Sequence, residues 1–255
     1  MTALVTGASS GIGRAFAVEL VKRGTDVVVV ARRRDKLEEL AKELDGKADV
    51  EILVADLSDP DQLATVEARL ADAERPIDLL VNNAGFGTAG PFHQLPVERE
   101  DEEIRLNVVA LVRLTRAALP GMVARGRGGV VNLSSVSGEQ PLPGWATYAA
   151  TKAFVTSFSR AIAAELKGSG VKVLNVLPGF TRTEFQDHGN FGQHFIPGPV
   201  WMTPEQVARK SLKALDRGRS EVVPGLQYRF VALVTRLSPW PLTRLVLRGA
   251  TRKMW

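Results

Sequence analysis

A tyrosine and a lysine stand four residues apart in the segment GWATYAATKAF, residues 144–154. On a helix this spacing places the Tyr148 phenol and the Lys152 ammonium on the same face. A free phenol has a pKa of about 10, and a nearby positive charge lowers that pKa by stabilising the anion. The pair therefore has the composition of a general acid for neutral pH, although a surface pair without a chemical role has the same spacing.

A glycine-rich loop, TGASSGIG at residues 6–13, follows the first apolar run and opens a helical pattern. Glycines let the chain turn sharply and let a phosphate approach the backbone, where the helix N-terminus attracts its negative charge. The loop predicts a dinucleotide site, and a glycine-rich turn without a ligand is the alternative. The residues predicted to contact the dinucleotide are Gly7, Ser9, Ser10, Gly11, Ile12 and Gly13.

The second apolar run ends in arginines, VVVVARRRDKL, where a protein that binds NAD usually has an acid for the ribose hydroxyls. The guanidinium groups of Arg32 and Arg33 suit the additional phosphate of NADP, because they can bind it through paired hydrogen bonds. A solvated helix face is the alternative, but a helix N-terminus is an unfavourable place for cations. The sequence therefore favours NADP over NAD.

Polar and glycine residues also follow the later apolar runs. Asp56 is predicted either to accept a hydrogen bond from an adenine amino group or to cap the following turn. The run NNAG at residues 82–85 is predicted either to line the crevice beside the adenosine ribose or only to end a strand. The further predicted cofactor contacts are Leu57, Asn83, Ala84, Gly85, Pro178, Gly179, Thr181 and Thr183.

Short β-branched runs alternate with longer helical patterns along the chain, and several of the runs are continuously apolar. Such runs are typical of strands covered on both faces, so the pattern predicts a doubly wound parallel sheet of the Rossmann type, an α/β fold. With no linker or repeat, residues 1–255 are expected to form a single domain. The predicted strands lie near the start and at 26–31, 50–56, 77–85, 128–135 and 171–179, and the predicted helices at 14–23, 36–44, 62–72, 98–124 and 148–167.

The chain has 255 residues and no cysteine, which excludes disulfides, thiolate metal sites and thiol nucleophiles. The N-terminus runs directly into an apolar strand and the glycine loop, so no export signal is expected. No run approaches the roughly 20 continuous apolar residues of a membrane-spanning helix. The expected location is the cytoplasm.

Five signatures occur in order: TGASSGIG, NNAG, LSS at 133–135, YAATK at 148–152 and PGFTRT at 178–183. Together they resemble the short-chain dehydrogenase/reductase family over residues 2 to about 185, and most closely its NADP-preferring reductases, whose second strand also ends in an Ala-Arg pair. The resemblance implies a nicotinamide cofactor and a catalytic tetrad. The residues that match the tetrad are Asn107, Ser135, Tyr148 and Lys152, with Asn107 holding a water that connects Lys152 to solvent.

In this family the region after the sixth strand is a mobile lid over the substrate, here about residues 181–203. The apolar residues predicted to line the substrate pocket, although core packing is an equal alternative for each, are Phe86, Leu142, Trp145, Phe185, Phe191, Phe195 and Trp201. His188 and His194 have no clustered acid and are interpreted as loop residues, so no metal site is expected.

The C-terminal segment departs from the family pattern. From Arg217 onward the chain has eight basic residues and a single acid, Glu221. Residues 226–255 form two predicted amphipathic helices that are split at Pro239-Trp240-Pro241. The segment is predicted to pack on a partner subunit, to close over the substrate site, or to make a peripheral contact with an anionic membrane.

The resulting hypothesis is an NADPH-dependent carbonyl reductase that acts on a medium-to-large apolar ketone or aldehyde, or on the secondary alcohol in reverse. The alternatives are a 3-oxoacyl thioester reductase, with an acyl carrier protein or CoA substrate, and a non-catalytic NADP-binding sensor. A homodimer or homotetramer is expected through the helices at 98–124 and 148–167. A nucleic-acid partner is not expected, because the basic residues lie on apolar helices without interleaved stacking aromatics.

Overall fold

A seven-stranded parallel sheet is the centre of the molecule in the computed structural model, which describes residues 1–185 and 201–237. The strand order is β3-β2-β1-β4-β5-β6-β7. The strands are β1 (Thr2–Thr6), β2 (Asp26–Ala31), β3 (Val50–Val54), β4 (Leu79–Asn82), β5 (Gly128–Leu133), β6 (Val171–Val176) and β7 (Glu221–Val222). The strand order reverses between β1 and β4, which opens a crevice at the carboxyl ends of these two strands.

Helices cover both faces of the sheet, as the continuously apolar strands predict. They are α1 (Gly11–Val21), α2 (Arg34–Leu44), α3 (Pro60–Ala71), α4 (Val97–Ile104), α5 (Leu111–Ala124), α6 (Ala146–Glu165), α7 (Pro204–Asp216) and α8 (Leu226–Leu237). A π-helical turn, Arg105–Ala110, joins α4 to α5. The predicted helix at 98–124 therefore contains an unpredicted widened turn, and that turn carries Asn107.

The strand residues alternate between two hydrophobic cores with the period of two that a pleated strand imposes. Val5 and Val29 pack with Phe16 of α1 and with residues of α2 and α7. Leu4 and Val28 pack on the opposite face with residues of α3, α5 and α6. Helices cover both faces of the sheet, which explains why most strand residues are apolar.

The second half of the fold contains elements that the sequence analysis did not predict. Helix α7 begins with a capping box, in which the Thr203 side chain and the Gln206 side chain each bond the other's backbone N–H. The two-residue strand β7, which was not predicted either, follows it, and helix α8 comes next. Of the two predicted tail helices, the first corresponds to α8, and the second lies outside the described residues.

Within the part of the chain that the structure describes, one helical stretch is long and apolar enough to cross a membrane by length and composition alone. This stretch, Val97–Ala124, includes α4, the π-helical turn and α5. It packs against α3 and α6 and carries Glu103 and Asn107 into the interior. These packing contacts are those of a core helix.

Candidate active site

A cavity of about 450 Å³ lies at the carboxyl ends of the strands, beside the reversal between β1 and β4. It brings together nearly all of the predicted cofactor residues from six separate segments of the chain. The predicted residues that line it are Gly7, Ser9, Ser10, Gly11, Ile12, Arg32, Arg33, Asp56, Leu57, Asn83, Ala84, Gly85, Tyr148, Lys152, Pro178, Gly179, Thr181 and Thr183, with Ser135 from the tetrad and Phe86 and Phe185 from the substrate group.

At Gly13 the glycine loop leaves no room for a side chain. A methyl group added to Gly13 would lie 2.3 Å from the carbonyl oxygen of Gly7 and 2.4 Å from Nδ2 of Asn83. Asn83 in turn donates from Nδ2 to the Thr6 carbonyl at 2.9 Å. Gly13 therefore does not line the cavity but lets the loop and the NNAG segment pack against each other.

The N-terminus of α1 points its free backbone N–H groups at this loop. Ser10, the residue before the helix, is extended and its side chain makes no capping hydrogen bond, and the first turn has no acid. The first backbone N–H groups of a helix lack intrahelical partners and carry a partial positive charge, so this end suits a phosphate. The geometry fits the dinucleotide that the sequence predicts.

Arg32 and Arg33 lie at the mouth of the cavity with exposed guanidinium groups. Arg33 donates to Glu184 at 2.9 Å and to the Ser9 hydroxyl at 3.2 Å. Arg32 lies 3.5 Å from Asp56. Exposed ion pairs of this kind are weak, so either arginine can exchange its carboxylate partner for a phosphate at little cost.

Asp56 makes the contact that the capping alternative predicts. Its Oδ1 accepts from the Ser58 N–H at 2.9 Å and from the Ser58 hydroxyl at 2.6 Å. These hydrogen bonds, together with Arg32, lower the pKa of Asp56 although its partial burial acts in the opposite direction as the largest single cause. Asp56 also lines the cavity, so the adenine contact stays a prediction.

Tyr148 and Lys152 lie on one face of α6, as the four-residue spacing predicts, and both are buried. The Lys152 ammonium donates to the Leu133 carbonyl at 2.9 Å and lies 5.7 Å from the centre of the Tyr148 ring. Burial raises the pKa of Tyr148 to about 12, and a hydrogen bond with Ser135 acts in the opposite direction. Burial also lowers the pKa of Lys152 to about 8.

The net pKa of Tyr148 is therefore raised by burial, and not lowered as its lysine neighbour alone would lower it. Desolvation disfavours the phenolate more than its surroundings stabilise it. The ammonium lies near the Tyr148 ring and donates a hydrogen bond to the Leu133 carbonyl. What the structure retains of the prediction is the proximity of the two groups and the protonated state of the phenol at neutral pH.

The hydrogen bonds distinguish the two adjacent serines at the end of β5. The Ser134 hydroxyl is bonded to the Lys152 carbonyl and the Thr156 hydroxyl, both at 2.7 Å, so it holds α6 on the sheet. Ser135 bonds the Tyr148 side chain and accepts from the Ser137 N–H at 3.1 Å. Ser135 lies in the cavity beside the phenol, in the position expected of the tetrad serine.

Asn107 is buried in the π-helical turn and holds the segment after NNAG. Its Oδ1 accepts from the Phe86 N–H at 3.2 Å, and its Nδ2 donates to the Phe86 carbonyl at 2.8 Å and to the Thr151 hydroxyl at 3.2 Å. Both amide hydrogens of Asn107 are thus engaged, while Oδ1 accepts a single hydrogen bond and keeps one further lone pair. The predicted water between Asn107 and Lys152 stays a prediction.

Two buried acids on α4, Glu100 and Glu103, were not identified from the sequence. Glu103 is fully buried and accepts at Oε2 from the Thr88 N–H and the Thr88 hydroxyl, both at 2.8 Å. Glu100 bonds the Thr147 hydroxyl. Burial raises the pKa of Glu103 to about 7 despite its hydrogen bonds to Thr88. The available signal was their spacing, since positions 100, 103 and 107 share one helix face.

The pKa of Glu103 predicts a pH-dependent stability. The folded protein binds this proton more tightly than the unfolded chain, whose glutamate has a pKa of about 4.5. The contribution to stability is complete below that value and is lost as the pH rises through about 7. We expect the Tm of the wild type to fall relative to Glu103→Gln between pH 5 and pH 7.

Thermal unfolding at several pH values measures this difference. Glu98→Gln, a change of the same charge at an exposed position of the same helix, serves as the control. A gap between wild type and Glu103→Gln that stays constant with pH would contradict the assignment.

The predicted substrate residues divide into three groups. Phe86 and Phe185 line the cavity, and the Phe185 ring centre lies 5.5 Å from that of Tyr148. Trp145 contacts the Tyr148 ring edge-on at 5.8 Å without lining the cavity, and Leu142 and Trp201 do not line it either. Phe191, Phe195, His188, His194 and most of the predicted lid lie outside the described residues.

Tyr228 of α8 reaches the same site from the C-terminal segment and was also missed. Its hydroxyl accepts from the Phe180 N–H at 2.9 Å, and a methyl group on Gly179 would lie 2.2 Å from its ring. Gly179 and Phe180 both line the cavity. Of the three alternatives for the tail, its first helix therefore shows a contact with the site itself.

Among the residues that the structure describes, no group of three His, Cys, Asp or Glu side chains is placed to hold a metal ion.

Comparisons with known proteins agree with this architecture. The family model described as short chain dehydrogenase matches residues 1–191. The chain is 36% identical over 221 residues to the very-long-chain 3-oxoacyl-CoA reductase of Bos taurus, covering 84% of this chain and 68% of the relative.

Two solved structures are also similar. A short-chain dehydrogenase from Sphingobium yanoikuyae in complex with NADPH is 40% identical, with a TM-score of 0.84 and 91% of each chain covered. The bulky-bulky ketone specific alcohol dehydrogenase from Comamonas testosteroni is 32% identical, with a TM-score of 0.79 and coverage of 99% of this chain and 93% of that one. With its parallel sheet, its glycine loop and the match over residues 1–191, the chain belongs to the short-chain dehydrogenase family and is an oxidoreductase that acts on carbonyl or hydroxyl groups.

Proposed function

We propose that the protein is an NADPH-dependent carbonyl reductase that acts on a medium-to-large apolar ketone or aldehyde, and on the secondary alcohol in reverse. The observation that carries the proposal is the Tyr148 phenol, which lines the same cavity as Ser135, Phe86 and Phe185. An apolar wall beside a proton donor suits a carbonyl with bulky apolar substituents.

The cavity supports NADP as the cofactor. The glycine loop and the uncapped N-terminus of α1 would hold the pyrophosphate, and Arg32 and Arg33 would hold the additional phosphate on the adenosine ribose. When bound, NADPH supplies the hydride that reduces the carbonyl carbon. The similar structure from Sphingobium yanoikuyae contains NADPH, which agrees with this choice over NAD.

The residues of the chain then supply the proton and the orientation. Ser135 donates a hydrogen bond to the carbonyl oxygen and holds it beside the phenol. As the carbon accepts the hydride, the O–H bond of Tyr148 breaks and its proton passes to the developing alkoxide. The positive charge of Lys152 stabilises the phenolate that remains, since it lies 5.7 Å from the ring centre in the same buried site.

Removing one arginine should change the preference between the two cofactors. In Arg33→Ala we expect the Kd for NADPH to rise by about tenfold or more, because a charge-assisted hydrogen-bond pair contributes roughly 1.5–3 kcal/mol. The Kd for NADH should change little, since NADH lacks the phosphate. Quenching of tryptophan fluorescence measures both constants.

The adjacent residue Arg34 provides the control for this experiment. Its guanidinium lies 3.8 Å from Glu38, is largely exposed and does not line the cavity. Arg34→Ala should therefore leave both constants near their wild-type values. An equal loss of NADH and NADPH binding in Arg33→Ala would remove the phosphate assignment.

A second candidate function is the reduction of 3-oxoacyl thioesters. The relative from Bos taurus is named for that reaction on very long chains, and the basic C-terminal residues would attract the phosphates of CoA or an acidic carrier protein. A long acyl chain would also suit the apolar side of the cavity. The two candidates differ in the substrate and share the chemistry at Tyr148.

Substrate turnover separates these candidates. The oxidation of NADPH is followed with bulky aryl and steroid ketones, with small ketones, and with 3-oxoacyl-CoA thioesters of increasing length, and each series is repeated with NADH. The proposal expects the highest kcat/KM for bulky ketones. A preference for the thioesters by more than about tenfold would favour the second candidate, and no turnover of any carbonyl compound would favour the non-catalytic sensor.

Self-association is part of the proposal as well. Val109 and Val123 on the helix 97–124, and Phe154 on α6, are each 42% exposed, which is unusual for large apolar residues. A homodimer or homotetramer through these helices would cover them. We further propose a cytoplasmic protein whose basic tail contacts anionic lipid, which pelleting of the full chain with anionic and neutral vesicles tests.

A further inference from the structure

Glu103 is a buried acid that the proposed chemistry does not use. It lies in α4, one turn before Asn107, and none of its side chain is exposed to solvent. Its Oε2 accepts two hydrogen bonds from Thr88, while its Oε1 has no hydrogen-bond partner among the described residues. A buried carboxylate with an unsatisfied oxygen is costly, so its presence beside the site calls for a physical explanation.

Glu103 and Asn107 together hold the segment 86–88 in place. Asn107 bonds both backbone groups of Phe86, and Glu103 bonds the backbone and the hydroxyl of Thr88. One helix face therefore holds the segment 86–88 by hydrogen bonds at both of its ends. Between these points lies Gly87, where an added methyl group would be 2.7 Å from a Tyr148 ring carbon. These hydrogen bonds on either side therefore hold the Gly87 backbone directly against the Tyr148 ring.

Glu103 also interacts electrostatically with Tyr148 and Lys152. The ionisable groups that interact with Glu103 are Glu100 on its own helix and Tyr148 and Lys152 on α6. The segment that bonds Glu103 contributes only the neutral Thr88. The charge of Glu103 raises the pKa of Tyr148 and the pKa of Lys152 alike, although burial is the largest influence on each of them. A negative charge here keeps the phenol and the ammonium protonated.

We propose that Glu103 is a positioning residue for carbonyl reduction: it fixes the Thr88 segment against the Tyr148 ring and places a negative charge behind the Tyr148–Lys152 pair. This inference rests on the proposed function. The protonated phenol is the reactant of reduction, whereas alcohol oxidation needs the phenolate as the base. Glu103 therefore biases the site toward reduction and extends reduction to higher pH.

The kinetic test uses Glu103→Gln, which removes the charge and keeps an oxygen that can accept from Thr88. We expect the falling limb of the reduction profile to move to lower pH, and the rising limb of alcohol oxidation to move in the same direction. A displacement of one pH unit on such a limb equals about a tenfold change in rate. The pKa of Lys152 is about 8, so the charge that this substitution changes near neutral pH is that of the Lys152 ammonium. At pH 8 we expect kcat for reduction to fall by about fivefold as the ammonium deprotonates, with a change of less than about threefold at pH 6.

Two further variants separate the charge from the mechanical contact. Glu98→Gln removes an exposed charge from the same helix and should leave both profiles in place. Thr88→Val removes one of the two hydrogen bonds and keeps the carboxyl group of Glu103, so it should lower kcat while moving the pH limbs by much less than Glu103→Gln does. If Glu103→Gln lowers kcat equally at every pH, the role is structural and the proposal is overturned.

A spectroscopic readout is independent of turnover. The chain has only two tyrosines, so labelling with [13Cζ]tyrosine gives two resonances, and Tyr148→Phe identifies that of Tyr148. In Lys152→Met, which removes the titrating ammonium, the Tyr148 resonance should shift with pH in a step that reports the ionisation of Glu103. The step should vanish in Lys152→Met/Glu103→Gln.

Failure of the role proposed for Glu103 and failure of the proposed function give different results. Persistence of the step in the double variant would overturn the role of Glu103 whatever the substrate. If the step is lost in the double variant but the wild-type protein reduces no carbonyl compound, the electrostatic coupling stands and the proposed function is removed.

Discussion

Tyr148→Phe is expected to abolish carbonyl reduction while leaving NADPH binding nearly intact. The substitution removes the phenolic oxygen and keeps the ring that contacts Trp145 and Phe185 at 5.8 and 5.5 Å. Positioned proton donors contribute about 10²- to 10⁴-fold to rates, and no other described donor in the cavity combines a phenol with a neighbouring ammonium. We expect kcat to fall by at least about a thousandfold.

The absorbance of the reduced cofactor measures the rate, and fluorescence quenching measures the Kd for NADPH. The Tm of the variant should stay near that of the wild type, because the substitution keeps the buried ring and its packing against Trp145 and Phe185. A variant that reduces the substrate at a near wild-type rate would remove Tyr148 from the mechanism.

Gly13→Ala should have the second large effect, through packing rather than through chemistry. The added methyl group would lie 2.3 Å from the Gly7 carbonyl oxygen, which belongs to the backbone and cannot rotate away. Overpacking of this kind costs about 1–3 kcal/mol of folding free energy. Because the displaced loop is the predicted phosphate site, we expect the Kd for NADPH to rise by more than about tenfold together with a lower Tm.

Gly121→Ala in α5 is the matched control for this prediction. There the added methyl group would meet only Nη1 of Arg125, at 3.0 Å, which is the end of a flexible side chain. Alanine is preferred to glycine inside a helix by about 1 kcal/mol, so this variant should keep or gain stability. A Gly13→Ala protein with wild-type Tm and NADPH affinity would contradict the packing argument.

Features with a local pattern could be predicted from the sequence. The apolar runs predicted six of the seven strands, because a strand buried on both faces needs β-branched residues at every position. The glycine loop, the arginines after β2 and the spacing of Tyr148 and Lys152 identified part of the cavity lining from local patterns. Each of these signals is contained within about ten consecutive residues.

Helix α7 also had a local signal, which the analysis overlooked. The residues TPEQ at 203–206 combine a capping box with a proline in the first turn, and together they mark a helix start. The sequence therefore contained the information needed to predict this helix, although the helix was not predicted.

Other features depend on contacts between distant parts of the chain. The run VEREDEEI contains five acids, and apart from the shared helix face of positions 100, 103 and 107, only the packing of the folded chain distinguishes the buried Glu100 and Glu103. Tyr228 meets Phe180 across 48 residues. The pKa of Tyr148 was predicted in the wrong direction because its sign depends on desolvation, and the degree of burial is set by the whole fold.

The ring of Tyr228 packs against Gly179, so helix α8 supports a segment that lines the cavity of the proposed site. Drift in the sequence of this terminal helix would then alter substrate selectivity without touching any catalytic group. Enzymes that share this Rossmann body could diverge in what they reduce by exchanging their last thirty or so residues, while the proton donor and the coenzyme cradle stay unchanged.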